Sequence, residues 1–150
     1  MLQTSTTETA ARRIGRDIRI VEVSKDSDLE KAFATVAELH VGGVLIAANS
    51  LFNNLRDHIL ALTTRLKLPA VYEQREVVAA GGLMSYGTNV PEVYRQVGIY
   101  TGRVLRGEKP ADLPVLEPTK FDMSINLKTA KALGIDMPTS ILLRANEIIE

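Results

Sequence analysis

Apolar positions in the first half of the chain follow two alternating patterns. Three short runs rich in β-branched and other apolar residues predict strands: DIRIVEV (Asp17–Val23), VLIAA (Val44–Ala48) and PAVYE (Pro69–Glu73). Between the runs, apolar residues recur every three or four positions, which predicts helices with one inward face: Leu29, Ala32, Phe33, Val36 and Ala37, then Leu55, Ile59, Leu62 and Leu66. Such alternation over short loops indicates right-handed parallel crossovers, and therefore a doubly wound α/β sheet.

Polar residues and glycines mark the expected ends of these helices. A short helix over Thr6–Ile14 precedes the first strand. Ser27 and Glu30 have the spacing of a capping box, which predicts that Ser27 begins the next helix. Gly42 and Gly43 are expected to end it, and Asn53 or Asn54 to cap the one that follows.

The second half of the chain has a different pattern. Asn89 and Glu92 again have capping-box spacing, which predicts a helix from Pro91 to Arg106. Its expected apolar stripe consists of Val93, Val97, Tyr100 and Val104. The segment RGEKPADLPVLEP then carries three prolines, which exclude a regular element and predict an extended connector.

The last part of the chain resumes regular structure after the connector. KFDMSIN predicts a strand, and a helix over Asn126–Leu133 follows, with Gly134 at its end. PTSILLRANEIIE is interpreted as a final helix that begins at Pro138. A further strand and helix beyond a proline-rich crossing suggest that the chain leaves its first sheet and covers a surface outside it.

Composition narrows the class of protein. A chain of 150 residues with 45% apolar content is long enough for one domain with a packed core. Lys plus Arg and Asp plus Glu are both 18, and this balance argues against nucleic acid or an anionic membrane as the partner. There is no cysteine, which excludes disulfides, thiolate nucleophiles and cysteine–zinc sites. No apolar run reaches transmembrane length and the N-terminus has no apolar signal core, so we expect no membrane insertion.

Candidate binding residues follow from a rule about parallel sheets. Ligands bind beyond the carboxyl ends of the strands in open α/β folds. That rule selects Asn49 and Ser50 after the second strand, and Tyr72 and Glu73 at the end of the third. Asn49 and Ser50 could equally form a turn or a helix cap. Glu73 with Glu76 could act as acid and base, or belong to a solvated charged loop.

The remaining polar residues give weaker signals. His40 and His58 are isolated on predicted helices, so no metal site, cofactor motif or catalytic residue is assigned. Gly81 and Gly82 match no phosphate-binding motif and are interpreted as a backbone bend that admits a close neighbour. Tyr86 is either a pocket-lining ring or a core tyrosine.

Several segments together resemble one bacterial family. GGLMSYG, KPADLP, PTKFDMSINLKTAKALGI and PTSILLRANEIIE are similar to the C-terminal half of ABC transporter substrate-binding proteins of the type I periplasmic-binding fold. The group includes tryptophan- and tyrosine-binding members. The resemblance implies two α/β lobes joined by three crossings, with a solute between them. Residues 1–90 then correspond to the C-terminal lobe in a three-layer sheet, and residues 91–150 to crossover helices and the last hinge segment.

The resemblance also implies a function. The chain is expected to be a non-enzymatic solute-binding component of an ABC uptake transporter, with a small solute such as an amino acid and a permease as partners. Hydrogen bonds, ring stacking and recognition of a ligand amine are expected from a set of cleft residues: Asn49, Ser50, Tyr72, Glu73, Glu76, Ser85 and Tyr86.

The match begins near the middle of a family member, so an N-terminal lobe and a signal peptide are expected to be missing. Bare apolar surface then predicts self-association into a dimer through the Pro91 helix or the tail. The resemblance places the protein outside the cytoplasm, whereas a complete product without a signal is expected in the cytoplasm. Two alternatives stay open: a flavodoxin-like regulatory domain acting as an oligomer, and an enzyme that uses Glu73 and Glu76.

Overall fold

The computed structural model describes residues 2–150, with side chains from residue 6 onward, and the chain divides into two compact units. The first ends at Val41 and contains two helices, α1 (Leu2–Arg13) and α2 (Leu29–Glu38), with a 3₁₀ turn at Asp26–Asp28 before α2. On the predicted inner face of α2, Leu29, Ala32 and Phe33 are buried, Val36 is half-buried and Ala37 is exposed.

The second unit, Gly42–Glu150, contains a five-stranded sheet and six helices among the described residues. The strands are β1 (Val44–Leu45), β2 (Ala70–Tyr72), β3 (Met84–Thr88), β4 (Phe121–Asn126) and β5 (Glu147–Ile149). The helices are α3 (Ser50–Asn54), α4 (Arg56–Arg65), α5 (Arg75–Ala79), α6 (Val90–Leu105), α7 (Leu127–Ala132) and α8 (Thr139–Leu142).

The sheet is mostly parallel, which confirms the predicted α/β class. Its strands lie in sequence order, and β1, β2 and β3 are parallel. Strand β4 runs antiparallel to β3 over five residue pairs, and β5 is parallel to β4. The chain therefore leaves the sheet after β3, returns through β4 and adds one more strand at the edge.

The predicted strand at Asp17–Val23 is wrong. These residues have no regular secondary structure, and Ile18 and Ile20 are exposed. A strand is defined by hydrogen bonds to a neighbouring strand, and no strand within residues 2–150 pairs with this segment. The apolar composition of the run therefore was not sufficient to make it a strand.

The predicted final helix is largely wrong. Only Thr139–Leu142 is helical, and Glu147–Ile149 form β5. Asn146 brings the tail to β4, because its backbone N–H donates to Met123 O at 2.8 Å while its Oδ1 accepts from Met123 N at 2.9 Å. The short apolar run at the end satisfies either period, and the unpaired edge of β4 decides in favour of a strand.

Three predicted helix boundaries also differ from the observed ones. Asn49, rather than Asn53 or Asn54, is the N-cap after β1, and its Oδ1 accepts from Leu51 N at 2.7 Å. Ser27 lies inside the 3₁₀ turn, and Asp28 occupies the N-cap position of α2. That helix ends at Glu38, before the glycines, and His40 takes the left-handed conformation with φ of 48°.

Gly81 and Gly82 form the predicted backbone bend. Gly81 has φ of 115°, which L-residues rarely adopt. At Gly82 a Cβ would lie 2.9 Å from both the Tyr72 ring and the Val77 carbonyl oxygen. The bend lets α5 lie close to β2 and β3, and Val77 and Val78 of this helix, which the sequence pattern did not predict, are buried.

Helix α6 confirms the predicted helix from Pro91, and its cap is half of a capping box. Asn89 Oδ1 accepts from Glu92 N at 2.8 Å. The Glu92 carboxylate does not return to the Asn89 N–H, because that N–H donates to Lys120 O at 3.0 Å and Glu92 binds Arg95 and Gln96. The cap thus links the helix to the start of β4.

Candidate functional site

The carboxyl ends of β1 and β2 carry the first group of candidate residues. Asn49 and Ser50 are both exposed at the start of α3, directly after β1. Asn49 uses its Oδ1 to cap the helix, so the structure realises the alternative of a helix cap. Its position at the strand end still places both side chains at the edge where α/β sheets bind ligands.

Tyr72 lies beneath this edge rather than on it. Its side chain is 4% exposed, and its ring packs against Gly82. Thr63 Oγ1 lies 2.8 Å from the Tyr72 hydroxyl oxygen and 3.0 Å from Leu60 O, and either hydroxyl can donate in the bond between Thr63 and Tyr72. Burial raises the pKa of Tyr72 above its ordinary value, and the bond with Thr63 offsets part of that rise. Tyr72 is therefore a buried packing residue beneath the candidate site and is not exposed at its surface.

A small cavity opens beside Tyr72. It has a volume of about 20 Å³, roughly the space of one water molecule, and Ile46, Glu73 and Val77 contribute to its walls. A cavity of this size does not hold an amino acid. Any ligand of that size at this edge of the sheet would lie above these residues rather than inside the cavity.

Glu73 is brought against β3 by a glycine. A Cβ at Gly87 would overlap the Glu73 carbonyl oxygen and lie 3.2 Å from its Cγ. Glu73 is half-buried next to the segment that carries Ser85 and Tyr86, whereas Glu76 is exposed on α5. Neither carboxylate is fully buried, which leaves the alternative of an enzyme using this pair without support from their surroundings.

Ser85 belongs to a row of side chains that crosses the sheet. Tyr72 pairs with Ser85, Ser85 with Ser124, and Ser124 with Glu147, so the four residues share one face of four adjacent strands. Ser85 and Ser124 are each 2% exposed. The expected cleft serine therefore lies under α5, in the polar interior of the second unit.

An ion pair between Arg75 and Glu147, which the sequence analysis missed, lies at the end of this row. Arg75 donates from Nε and a terminal nitrogen to Glu147 at 3.0 and 2.5 Å, and Ser124 Oγ donates to the same carboxylate at 3.0 Å. Hydrogen bonding by Arg75 is the main reason that the pKa of Glu147 lies below its ordinary value. Arg75 and Glu147 are 72 positions apart, so no local pattern could have paired them.

Tyr86 projects from β3 on the face opposite Ser85, because side chains alternate along a strand. Its ring stacks on the ring of Phe121 from β4, with centroids 5.6 Å apart and planes 13° from parallel. Tyr86 is 52% exposed and Phe121 is 43% exposed. Tyr86 is thus a surface ring rather than a core tyrosine, and Phe121 is an aromatic neighbour that the sequence analysis missed.

A second concave region lies on residues 90–120, here called the arm. In the predicted stripe of α6 the three valines are exposed and Tyr100 is half-buried, and the stripe forms one wall of a groove of about 800 Å³ with residues 113–118 opposite. Tyr100 donates its hydroxyl to Pro114 O at 2.7 Å, which holds the two walls together. No residue of α6 is buried, so the arm contributes its apolar face to no core within residues 2–150.

Other kinds of site find little support in the described part of the chain. No group of three His, Cys, Asp or Glu side chains there could hold a metal ion. His40 Nδ1 lies 2.7 Å from Glu38 O at a helix end, and His58 is exposed on α4. Within residues 2–150, no helix has the length and hydropathy needed to cross a bilayer.

One family model matches nearly the whole chain. It is the ABC transporter substrate binding protein model, and it aligns with residues 2–149. Among curated proteins, no significant match to this sequence was found.

Three solved structures have the same fold. The ABC domain from Streptococcus pneumonia in complex with L-Trp superposes with a TM-score of 0.89 at 23% identity over 99% of this chain. A conserved domain protein from Vibrio cholerae O1 biovar El Tor gives 0.87 at 21% identity over 97%. The ligand-free, open form of CD0873, a substrate binding protein with adhesive properties from Clostridium difficile, gives 0.68 at 18% identity over 99%.

This chain spans about half the length of those proteins. The superposition covers 51% of the Streptococcus chain and 49% of each of the other two. The arm lies inside the aligned region in each comparison, because nearly all of this chain is aligned.

Proposed function

This chain belongs to the ABC transporter substrate-binding protein family, and from that premise we propose that it is the solute-binding component, or a part of it, of an ABC uptake transporter. The solute is small, in the class of amino acids, and the protein delivers it to a permease on the extracytoplasmic side of a membrane. The observation that carries the proposal is that Glu73, directly after β2, lies against Gly87, next to Tyr86, which is one residue beyond the last β2–β3 pair.

Each candidate residue has a proposed role that fits its position. Asn49 and Ser50 hydrogen-bond polar groups of the solute, Glu73 pairs with its amine and Tyr86 contacts its ring. Glu76 remains a candidate at the rim. Buried Tyr72 and Ser85 support these residues from beneath rather than touching the solute. Binding without chemical change is the proposed activity, so no residue is assigned a catalytic role.

The second wall of the site is proposed to come from a complementary half. Half of each solved relative has no counterpart in this chain, and the cavity at the strand ends is too small to enclose a solute. We place the boundary near residue 90, where the chain leaves the sheet and enters the arm. Residues 1–90 then form most of one lobe, and residues 91–150 lead to the other lobe and return.

The bare surface of the arm supports a second copy as partner when no complementary half is present. Many large apolar side chains of the arm are exposed: Val90, Val93, Tyr94, Val97, Ile99, Val104, Leu105, Val115 and Leu116. Contiguous apolar surface of this kind marks an interaction site. Light scattering of the 150-residue chain is expected to give the mass of a dimer, and a monomeric mass at micromolar concentration contradicts it.

The solute proposal is tested by a titration that the composition makes simple. The chain contains no tryptophan, so added L-tryptophan is the only indole fluorophore. Saturable changes in its emission are expected with the wild-type chain, and competition with L-tyrosine, L-phenylalanine and L-glutamate reports the solute class. A protein that binds none of the four amino acids at millimolar concentration refutes the proposal.

Replacing one ring checks the site itself. Tyr86→Ala is expected to weaken L-tryptophan binding about 2- to 12-fold, as the loss of one aromatic contact predicts. Leu143→Ala is the control, because Leu143 is an exposed apolar residue at the end of α8, outside both the arm and the candidate site. Equal affinities of the two variants remove Tyr86 from the site. An oligomer that binds no amino acid supports the alternative of a small regulatory domain.

A further inference from the structure

Phe121 is the one exposed aromatic ring in contact with Tyr86, and the proposed function assigns it no role. We propose that Phe121 and Tyr86 together form an aromatic platform on which the ring of an aromatic solute stacks. Phe121 is then a specificity-determining residue for planar aromatic solutes. This inference rests on the proposed function, since it names the class of solute and one more residue that selects it.

The platform is positioned by paired strands. Tyr86 lies opposite Met123, and Thr88 lies opposite Phe121, so the two rings are diagonal neighbours on one face of the β3–β4 pair. Five residue pairs join these strands, with Met84 opposite Ile125 at the far end. Ile125 is fully buried and Met123 nearly so, which fixes the strands beneath the rings. A platform on such strands needs little reorganisation to bind a ligand.

The orientation of the rings suits a third ring. At 5.6 Å and 13° the pair is offset and nearly parallel, one of the arrangements that aromatic quadrupoles favour. Each ring covers one side of the other, and about half of each side chain remains in water. A planar ring placed on an outer face continues the stack with the same geometry, whereas an aliphatic side chain gains only the burial of apolar area.

The location connects the platform to the rest of the proposed site. Tyr86 is the residue before Gly87, the position that contacts Glu73. Phe121 is the first residue of β4, next to Lys120, whose carbonyl oxygen accepts from Asn89 N at the base of the arm. The rings thus lie where the chain passes between the sheet and the arm, at the side from which a second wall is expected.

Fluorine NMR of the full chain labelled with 3-fluorophenylalanine observes Phe121 directly. The chain has three phenylalanines, and Phe33 is buried while Phe52 is half-buried, so each reports a different environment. Phe121→Leu assigns the Phe121 resonance by removing it. L-Tryptophan, and indole as a bare aromatic probe, are expected to move the Phe121 resonance and leave that of Phe33 in place. L-Leucine is expected to move neither.

Affinity provides the second measurement. Phe121→Leu keeps an apolar side chain and removes the ring, and it is expected to weaken L-tryptophan binding about 2- to 12-fold, the range of a single aromatic pair. Binding of any non-aromatic solute is expected to be unchanged. Leu143→Ala, which shortens an exposed apolar side chain at the end of α8, is the control and is expected to bind as the wild type does.

The outcomes separate this inference from the proposed function. Saturable L-tryptophan binding with an unmoved Phe121 resonance and an unaffected Phe121→Leu variant overturns the platform and leaves the proposed function standing. A Phe121 resonance that responds to indole in a chain that binds no amino acid supports the platform and refutes the proposed function. A resonance that moves only with protein concentration assigns the stack to a contact between copies, which also overturns the platform.

Discussion

Three asparagines cap helices in this chain, and their burial increases along it. Asn49 caps α3 and is exposed, Asn89 caps α6 and is half-buried, and Asn126 caps α7 and is 5% exposed. In each case the side-chain oxygen accepts a backbone N–H of the first helical turn. Replacing each by alanine therefore removes the same cap in three environments.

The structure gives a magnitude for Asn126→Ala. Loss of the bond to Thr129 N, 3.0 Å long, costs about 1 kcal/mol, the typical value for an N-cap. The amide also donates to Val78 O at 3.1 Å, worth about another 0.5–1.5 kcal/mol. Val78 O keeps a second donor, Gly81 N, and so is not left unpaired. The expected loss in the free energy of unfolding is about 2–3 kcal/mol, including a contribution from the small void.

The alanine variants of the other two asparagines are expected to cost less. Asn49→Ala is expected to cost about 1 kcal/mol or less, because only an exposed cap is lost. Asn89→Ala loses the cap and a 2.6 Å hydrogen bond to Asp122, so about 1–2 kcal/mol is expected at this half-buried site. Asn126→Ser keeps a cap acceptor and loses the bond to Val78, and it isolates that second contribution.

Equilibrium unfolding in urea measures the series. The denaturation midpoint is expected to be highest for Asn49→Ala, lower for Asn89→Ala and lowest for Asn126→Ala, with an unchanged slope of the transition. Circular dichroism follows helix loss, and a second probe checks that the transition is two-state. Equal costs at Asn49 and Asn126 would show that burial of the amide adds nothing, and the reasoning from the Val78 contact would be refuted.

Two further predictions follow from single contacts. Gly87→Ala places a methyl group against the Glu73 carbonyl and is expected to lower the free energy of unfolding in urea by about 1–3 kcal/mol. Gly98→Ala in α6 meets no atom and is expected to raise it by about 0.5–1 kcal/mol. Changes of the same sign for the two variants contradict this reasoning. Hydrogen bonding by Arg95 lowers the pKa of Glu92 to about 2. The contribution of this carboxylate to folding stability is therefore present above its ordinary pKa of 4.5 and is lost as pH falls towards 2. Arg95→Gln is expected to raise the pKa of Glu92 in an NMR titration, and an unchanged pKa refutes the pairing.

Elements defined by local periodicity could be predicted from the sequence. Strands β1 and β2 lie inside the predicted runs, and α6 matches the predicted helix at both ends within about a residue. The Asn89 cap and the bend at Gly81 also follow from the sequence, because a cap and a positive φ are decided by a few neighbouring residues. The α/β class and the family resemblance rest on these same segments.

The candidate site was predictable in position but not in detail. The strand-end rule placed Asn49, Ser50 and Glu73 beyond the carboxyl ends of β1 and β2, and the structure has them there. The rule could not show that the Tyr72 side chain is buried against Thr63, since the face of the sheet on which a strand residue lies depends on the register with its neighbours. Phe121 was missed because its partner Tyr86 is contributed by an antiparallel strand that a proline-rich connector separates from it in sequence.

The sequence by itself determined where apolar faces and caps occur, because side-chain periodicity and turn chemistry are properties of a few consecutive residues. Tertiary structure alone decided what each face meets. Asp17–Val23 lacks a pairing strand within residues 2–150 and stays irregular, while Glu147–Ile149 finds the edge of β4 and becomes a strand. Arg75 and Glu147 pair for the same reason, since the sheet brings distant residues together and no local pattern encodes that contact.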